Sequence, residues 1–100
     1  MTKERWFTLS KVEQLANIGS EVARALHWQK KDRPVEQQRS LKRAFDLLTL
    51  SLTDPKNQSG QHELIILRTV LSDYFSDNPH YQVAPASLQK YFLQFGLLLR

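Results

Sequence analysis

Apolar side chains recur at steps of three and four along four stretches between residues 10 and 99, and three short polar breaks separate them. That spacing places the apolar positions of each stretch on one face of an α-helix. Ser10 and Glu13 form an S-x-x-E capping box. In such a box the hydroxyl satisfies a free N–H at the helix start while the carboxylate reaches back, so the first helix opens near Lys11. Its expected buried face is Val12, Leu15, Ala16, Gly19, Val22, Ala23 and Leu26. The small residues at 16, 19 and 23 would let a second helix come close. A mid-helix glycine costs about 1 kcal/mol relative to alanine, a loss that close packing can offset.

Asp32-Arg33-Pro34 ends the first helix and starts the second, since proline is comfortable in a first turn where its missing N–H has no intrahelical partner. Leu41, Ala44, Phe45, Leu48 and Leu52 define the second helix's inner face, with Arg39, Arg43 and Asp46 toward water. Thr53 to Gln61 reads as a loop because Pro, Asn, Ser and Gly cluster there. The third helix follows, with Leu64, Leu67, Leu71, Tyr74 and Phe75 on its face and Ile66 and Val70 on the flank; Asp77-Asn78-Pro79 breaks it. The fourth, opened by Pro85 or Ser87, turns Leu88, Tyr91, Phe92, Phe95, Leu98 and Leu99 inward and leaves Leu93 and Leu97 nearly opposite. The predicted helices are 11–31, 34–53, 61–76 and 86–99.

Short connections favour antiparallel neighbours. The expected architecture is therefore all-α, an antiparallel up-and-down four-helix bundle, in one domain spanning residues 1–100. The turn between the first two helices would then neighbour Asp77, Asn78, His80 and Tyr81. Trp6, Phe7 and Leu9 would fold over the other end, beside the 53–61 loop.

Charge changes the picture in one place. The chain carries +4 overall, but residues 24 to 43 hold seven Lys or Arg against Asp32 and Glu36, so this segment alone is +5. Lys30, Lys31, Arg33, Arg39, Lys42 and Arg43 are its candidate contact residues for RNA, DNA or an acidic partner. Trp28 or Tyr81 would supply an aromatic for base stacking, although no recognised nucleic-acid module accompanies them. The competing reading is a solvated hairpin end.

Composition narrows the chemistry. There is no cysteine, which excludes a disulfide framework and a thiolate metal site. The N-terminal residues lack the apolar run of a signal peptide, and no stretch of about 18 apolar residues is present. The chain reads as soluble and cytoplasmic, without a membrane partner. His27, His62 and His80 do not form the spacing that puts two ligands on one helical face. No glycine-rich phosphate loop and no catalytic motif is seen, so no catalytic residue, metal site or cofactor is assigned. Glu21, Arg24, Arg68 and Asp73 lie beside or near apolar stripes and are candidates for an interhelical polar network, either structural or lining a ligand pocket.

The stretches LANIGSEVARALHW (15–28), RAFDLLTLSLTDPKN (43–57) and LRTVLSDYF (67–75) together resemble a small bacterial family of helical-bundle proteins. More distantly, the four-helix pattern is similar to HEPN-type domains and to the helical partners of nucleotidyltransferases. Active HEPN ribonucleases carry an Arg-x4–6-His motif. Here Arg24 and His27 have only two residues between them, so the resemblance implies a catalytically inactive HEPN-like domain. The expected function is a non-enzymatic binding or accessory module for a protein partner. Leu93 and Leu97 are its candidate interface, either meeting a second copy of the chain or covered by Trp6 and Phe7 of the N-terminal arm.

Overall fold

A computed structural model describes residues 2–77, 79 and 84–98, the side chains of 96–98 excepted. Asn78, His80, Tyr81 and Leu99, together with the side chains of Leu97 and Leu98, lie outside the described residues.

Every regular element among the described residues is helical. In chain order they are α1 (Lys3–Phe7), α2 (Lys11–Lys30), α3 (Pro34–Thr53), a 3₁₀ turn (Pro55–Gly60), α4 (Gln61–Tyr74) and α5 (Pro85–Leu98). The four long helices fall where the periodicity puts them. Two elements were not foreseen. The N-terminal arm coils into a short helix, and the predicted 53–61 loop winds into the 3₁₀ turn.

Local chemistry explains the boundaries. Ser10 Oγ accepts from the Glu13 N–H at 3.1 Å, and Glu13 Oε1 accepts from the Ser10 N–H at 3.0 Å, so the capping box is complete. These hydrogen bonds hold the Glu13 carboxyl below its ordinary pKa. At the other end of α2 the Arg33 N–H reaches back to the Trp28 carbonyl and the Asp32 N–H to that of Gln29. Asp32 accommodates this Schellman-type ending with φ of 55°. Aspartate tolerates that left-handed geometry better than most residues with a side chain. Pro34 then starts α3, making the link between the two longest helices a tight reversal.

α2 is the centre of the packing, with α3 against one side and α5 against another, while α4 packs on α3. Lys11 at the start of α2 meets Glu63 near the start of α4 at 3.5 Å. The Tyr74 hydroxyl at the end of α4 donates to Gln29 Oε1 near the end of α2 at 3.1 Å. These two ties align α2 and α4 in the same sense. The core is Trp6, Leu15, Ile18, Val22, Leu26, Ala44, Leu48, Leu64, Leu67, Leu71, Leu88 and Phe92.

Several inner faces are rotated slightly from expectation. On α2, Gln14, Ile18 and Ala25 are buried, while Val12 and Ala16 are half-buried and Ala23 is exposed. On α3, Ser40 and Ser51 are buried and Phe45 and Leu52 are half-buried. Ser40, Ala44, Leu48 and Ser51 make a continuous helical stripe whose ends are small hydroxyls, leaving room for α2 and for Trp6. Gly19 does serve close approach: a Cβ built there would fall 2.6 Å from Phe92 Cβ. That atom is fixed to the α5 backbone, so α5 itself would have to move. Gly19→Ala should therefore destabilise the fold in chemical denaturation, overpacking strain of about 1–3 kcal/mol outweighing the ~1 kcal/mol gain in helix propensity. A more stable Gly19→Ala protein would show that α5 sits farther from α2.

Candidate functional site

Four features concentrate polar or accessible chemistry: a buried hub at the α1 end, a charged groove between α2 and α3, the basic hairpin end, and the outer surface of α5.

The hub joins α1, α2, α3 and the 3₁₀ turn. The Trp6 indole N–H donates to Ser51 Oγ at 2.9 Å. Gln14 Nε2 donates to the Trp6 carbonyl at 3.1 Å and to Asp54 Oδ2 at 2.8 Å. Asn57 Nδ2 donates to Gln14 Oε1 at 2.8 Å and to the Ser51 carbonyl at 2.9 Å. Lys56 completes it, its ammonium donating to Asp54 and to the Phe7 carbonyl. Gln14, Ser51 and Asn57 are each 1% exposed. Asp54 caps the 3₁₀ turn through the Lys56 N–H. Trp6 and Phe7 were expected over this end beside the 53–61 segment, but Gln14, Ser51, Asp54 and Asn57 had no expected role. Their signal was polar side chains at inward helical or turn positions, which an apolar count passes over.

Burial pushes the Asp54 carboxyl up, but hydrogen bonds from Lys56 and Gln14 outweigh it and hold the group below its ordinary value. A carboxyl with a depressed folded pKa contributes stability above its unfolded pKa of about 3.9, and that stability is lost as pH falls through the folded value. Stability should thus drop as pH falls below about 4. Asp54→Asn, less stable at neutral pH, should show a flatter acid limb in urea titrations followed by circular dichroism. An unchanged limb would mean that other carboxylates carry the acid sensitivity.

Between α2 and α3, Glu21 holds two guanidiniums. Arg24 Nη1 donates to Oε1 at 2.6 Å, and Arg43 Nε from α3 donates to Oε2 at 2.9 Å. Glu21 and Arg24 thus belong to an interhelical network, but their partner is Arg43, which had been read as water-facing. Arg68 is exposed on α4 and makes no hydrogen bond or ion pair among the described residues. Asp73 is half-buried further along α4. The structure does not bring Arg68 and Asp73 to the Glu21 cluster, because α4 packs on α3 rather than on this edge of α2.

At the hairpin end the basic residues are partly neutralised. Arg33 pairs with Glu36 at 2.8 Å, Lys42 with Asp46 at 2.9 Å, and Arg43 with Glu21. Hydrogen bonding to Arg33 holds the Glu36 carboxyl below its ordinary value. Lys30, Lys31 and Arg39 are exposed and make no ion pair among the described residues. Trp28 is half-buried, with its ring edge-on to His27; Tyr81 lies outside the described residues.

α5 presents a different surface. Lys90 is the only residue among its fourteen with a formal charge at neutral pH. Leu93 is 58% exposed. It borders a groove of about 600 Å³ between α2 and α5, lined on the α2 side by Ala16, Gly19, Ser20, Val22 and Ala23. On the other flank a second groove of about 370 Å³ separates α5 from α4, where Ile66 is 49% exposed. The Tyr91 hydroxyl donates across this groove to Glu63 at 2.8 Å. Burial, reinforced by that bond, pushes the phenol well above its ordinary pKa, so it remains a donor.

Among the described residues no group of three or more His, Asp or Glu is placed to hold a metal ion, and no helix is long and apolar enough to cross a membrane. Compared with protein-family models, curated proteins and solved structures, the chain matches none.

Proposed function

We propose that the chain is a non-enzymatic helical interaction module, with its four long helices in an antiparallel up-and-down bundle, and that it binds protein through the outer surface of α5. The alignment of α2 with α4 and the tight α2–α3 reversal support that topology. The observation that carries the function is the exposure of Leu93 on a helix with a single formal charge, beside a groove walled by small side chains. Solvent-facing helix surfaces ordinarily carry charge, and an apolar projection beside an apolar recess favours association. Projection and recess lie in one patch, the condition for a self-complementary two-fold contact, so a second copy of the chain is the partner proposed. Light scattering across micromolar concentrations should show a dimer that Leu93→Glu dissociates without loss of helicity. A monomer at every concentration, with Leu93→Glu equally monomeric and equally stable, would refute it.

A second reading, nucleic-acid binding through the hairpin end, is supported by the three cations there that lack ion pairs among the described residues. Affinity for RNA or DNA should fall steeply with salt, because each phosphate contact releases counterions. Charge reversal at Arg39 should weaken it more than reversal at Lys90. The inactive HEPN-like reading draws support from the helical class alone, a fold-level analogy.

A further inference from the structure

We propose that the groove between α2 and α3 is a binding site for a small amphiphilic oxyanion, a carboxylate or phosphate monoester attached to an apolar body. The site lies on the α3 side of α2 and shares only Ser20 with the lining of the α2–α5 groove. Its apolar floor is formed by the half-buried Leu47 and Leu50, with the fully buried Trp6 beneath them, and its rim carries Arg24 from α2 and Arg43 from α3. Its volume of about 380 Å³ falls at the lower end of the range for small-molecule sites, roughly 300–1,000 Å³.

The charge arrangement specifies the ligand. Glu21 is the least exposed member of the cluster, its side chain 13% accessible, and each of its oxygens accepts from a different arginine. One carboxylate therefore positions two cations and leaves the cluster at +1. The remaining charged side chain on the rim, Asp46, is engaged by Lys42. Arg24 spends only Nη1 on the protein, and Arg43 spends Nε on Glu21 and Nη2 on Ser40 at 3.3 Å. Arg24 Nε and Nη2 and Arg43 Nη1 remain as donors. Two other polar rim groups each spend one hydrogen on their own helix: Asn17 Nδ2 donates to the Glu13 carbonyl and Ser20 Oγ to the Ala16 carbonyl. The groove thus offers guanidinium donors above an apolar floor, and guanidiniums match planar or tetrahedral oxyanions in charge-assisted pairs.

The test is a titration of the isotopically labelled protein by amide-resolved NMR with four probes: hexanoate, hexyl phosphate, inorganic phosphate and hexylammonium. Hexanoate or hexyl phosphate should give saturable shifts at Glu21, Arg24, Arg43 and Leu47. The preferred head group identifies carboxylate or phosphate as the oxyanion. Inorganic phosphate should bind more weakly because it leaves the floor empty. Arg43→Gln and, separately, Arg24→Gln should weaken the better probe about tenfold or more, with helicity checked by circular dichroism. Lys30→Gln, outside the groove, should leave it unchanged. The proposal is overturned if neither amphiphilic anion gives saturable shifts in the groove, if hexylammonium binds as tightly as they do, or if both arginine variants bind as well as the native chain.

Discussion

Trp6→Ala should cost about 3–5 kcal/mol of folding stability, the range for removing a large aromatic from a packed interior. Small domains have about 5–15 kcal/mol in total, so the variant would approach the unfolding threshold. The indole is fully buried, and it holds in place an element that cannot stand alone. α1 has five residues, far below the roughly 12–15 that an isolated helix needs in water. Its own contribution is a handful of local bonds, among them a Thr2 cap accepting from the Arg5 N–H at 3.2 Å and the Thr8 hydroxyl donating to the Arg5 carbonyl at 2.7 Å; the rest comes from docking. Removing the indole strips α1 of its anchor and opens a cavity against α3.

Trp6→Phe separates the two parts of that role. The ring still fills most of the space, but Ser51 Oγ loses its indole donor while continuing to donate to the Leu47 carbonyl. No buried donor is orphaned, so the cost should be about 1–3 kcal/mol, combining one lost hydrogen bond with a modest volume change. Urea denaturation followed by far-ultraviolet circular dichroism measures both. Fluorescence in a Trp28→Phe background reports the indole directly, since the chain has only two tryptophans. A loss below about 1 kcal/mol for Trp6→Ala would mean that the arm is undocked in solution.

The four long helices were legible in the sequence because each is long enough for a 3.6-residue period to repeat, and because a complete capping box and Pro34 mark two of their starts. The arm was not legible as a helix, because five residues hold barely more than one turn. The hub was missed for another reason. Gln14, Ser51 and Asn57 occupy inward positions, yet counting apolar residues assigns polar side chains to solvent. Their burial is tolerable because each engages a partner across elements up to 45 residues apart, which periodicity cannot reveal. The charged groove was half legible: Glu21 and Arg24 stood out, but choosing between Arg43 and Arg68 requires knowing which helix lies beside α2. Leu93 was readable because it faces away from an otherwise consistent stripe.

Leu48→Ala and Phe92→Ala should each destabilise the chain by about 2–5 kcal/mol. Leu48 is fully buried in α3, and Phe92 is 6% exposed in α5. Their surroundings differ, and the effects should differ with them. Leu48 lies in the long α2–α3 interface, where collapse around a deleted side chain is resisted by the hub at one end and the tight reversal at the other. Phe92 sits over Gly19 beside an open groove, so the space left by its ring opens toward solvent instead of forming a closed cavity. Leu48→Ala should therefore retain more of its cavity cost than its smaller side chain would otherwise imply. Amide exchange supplies the second readout: Phe92→Ala should loosen α5 while α2 and α3 stay protected, whereas Leu48→Ala should lower protection across α2 and α3 together. Losses below about half a kcal/mol in both variants would place these side chains outside the core.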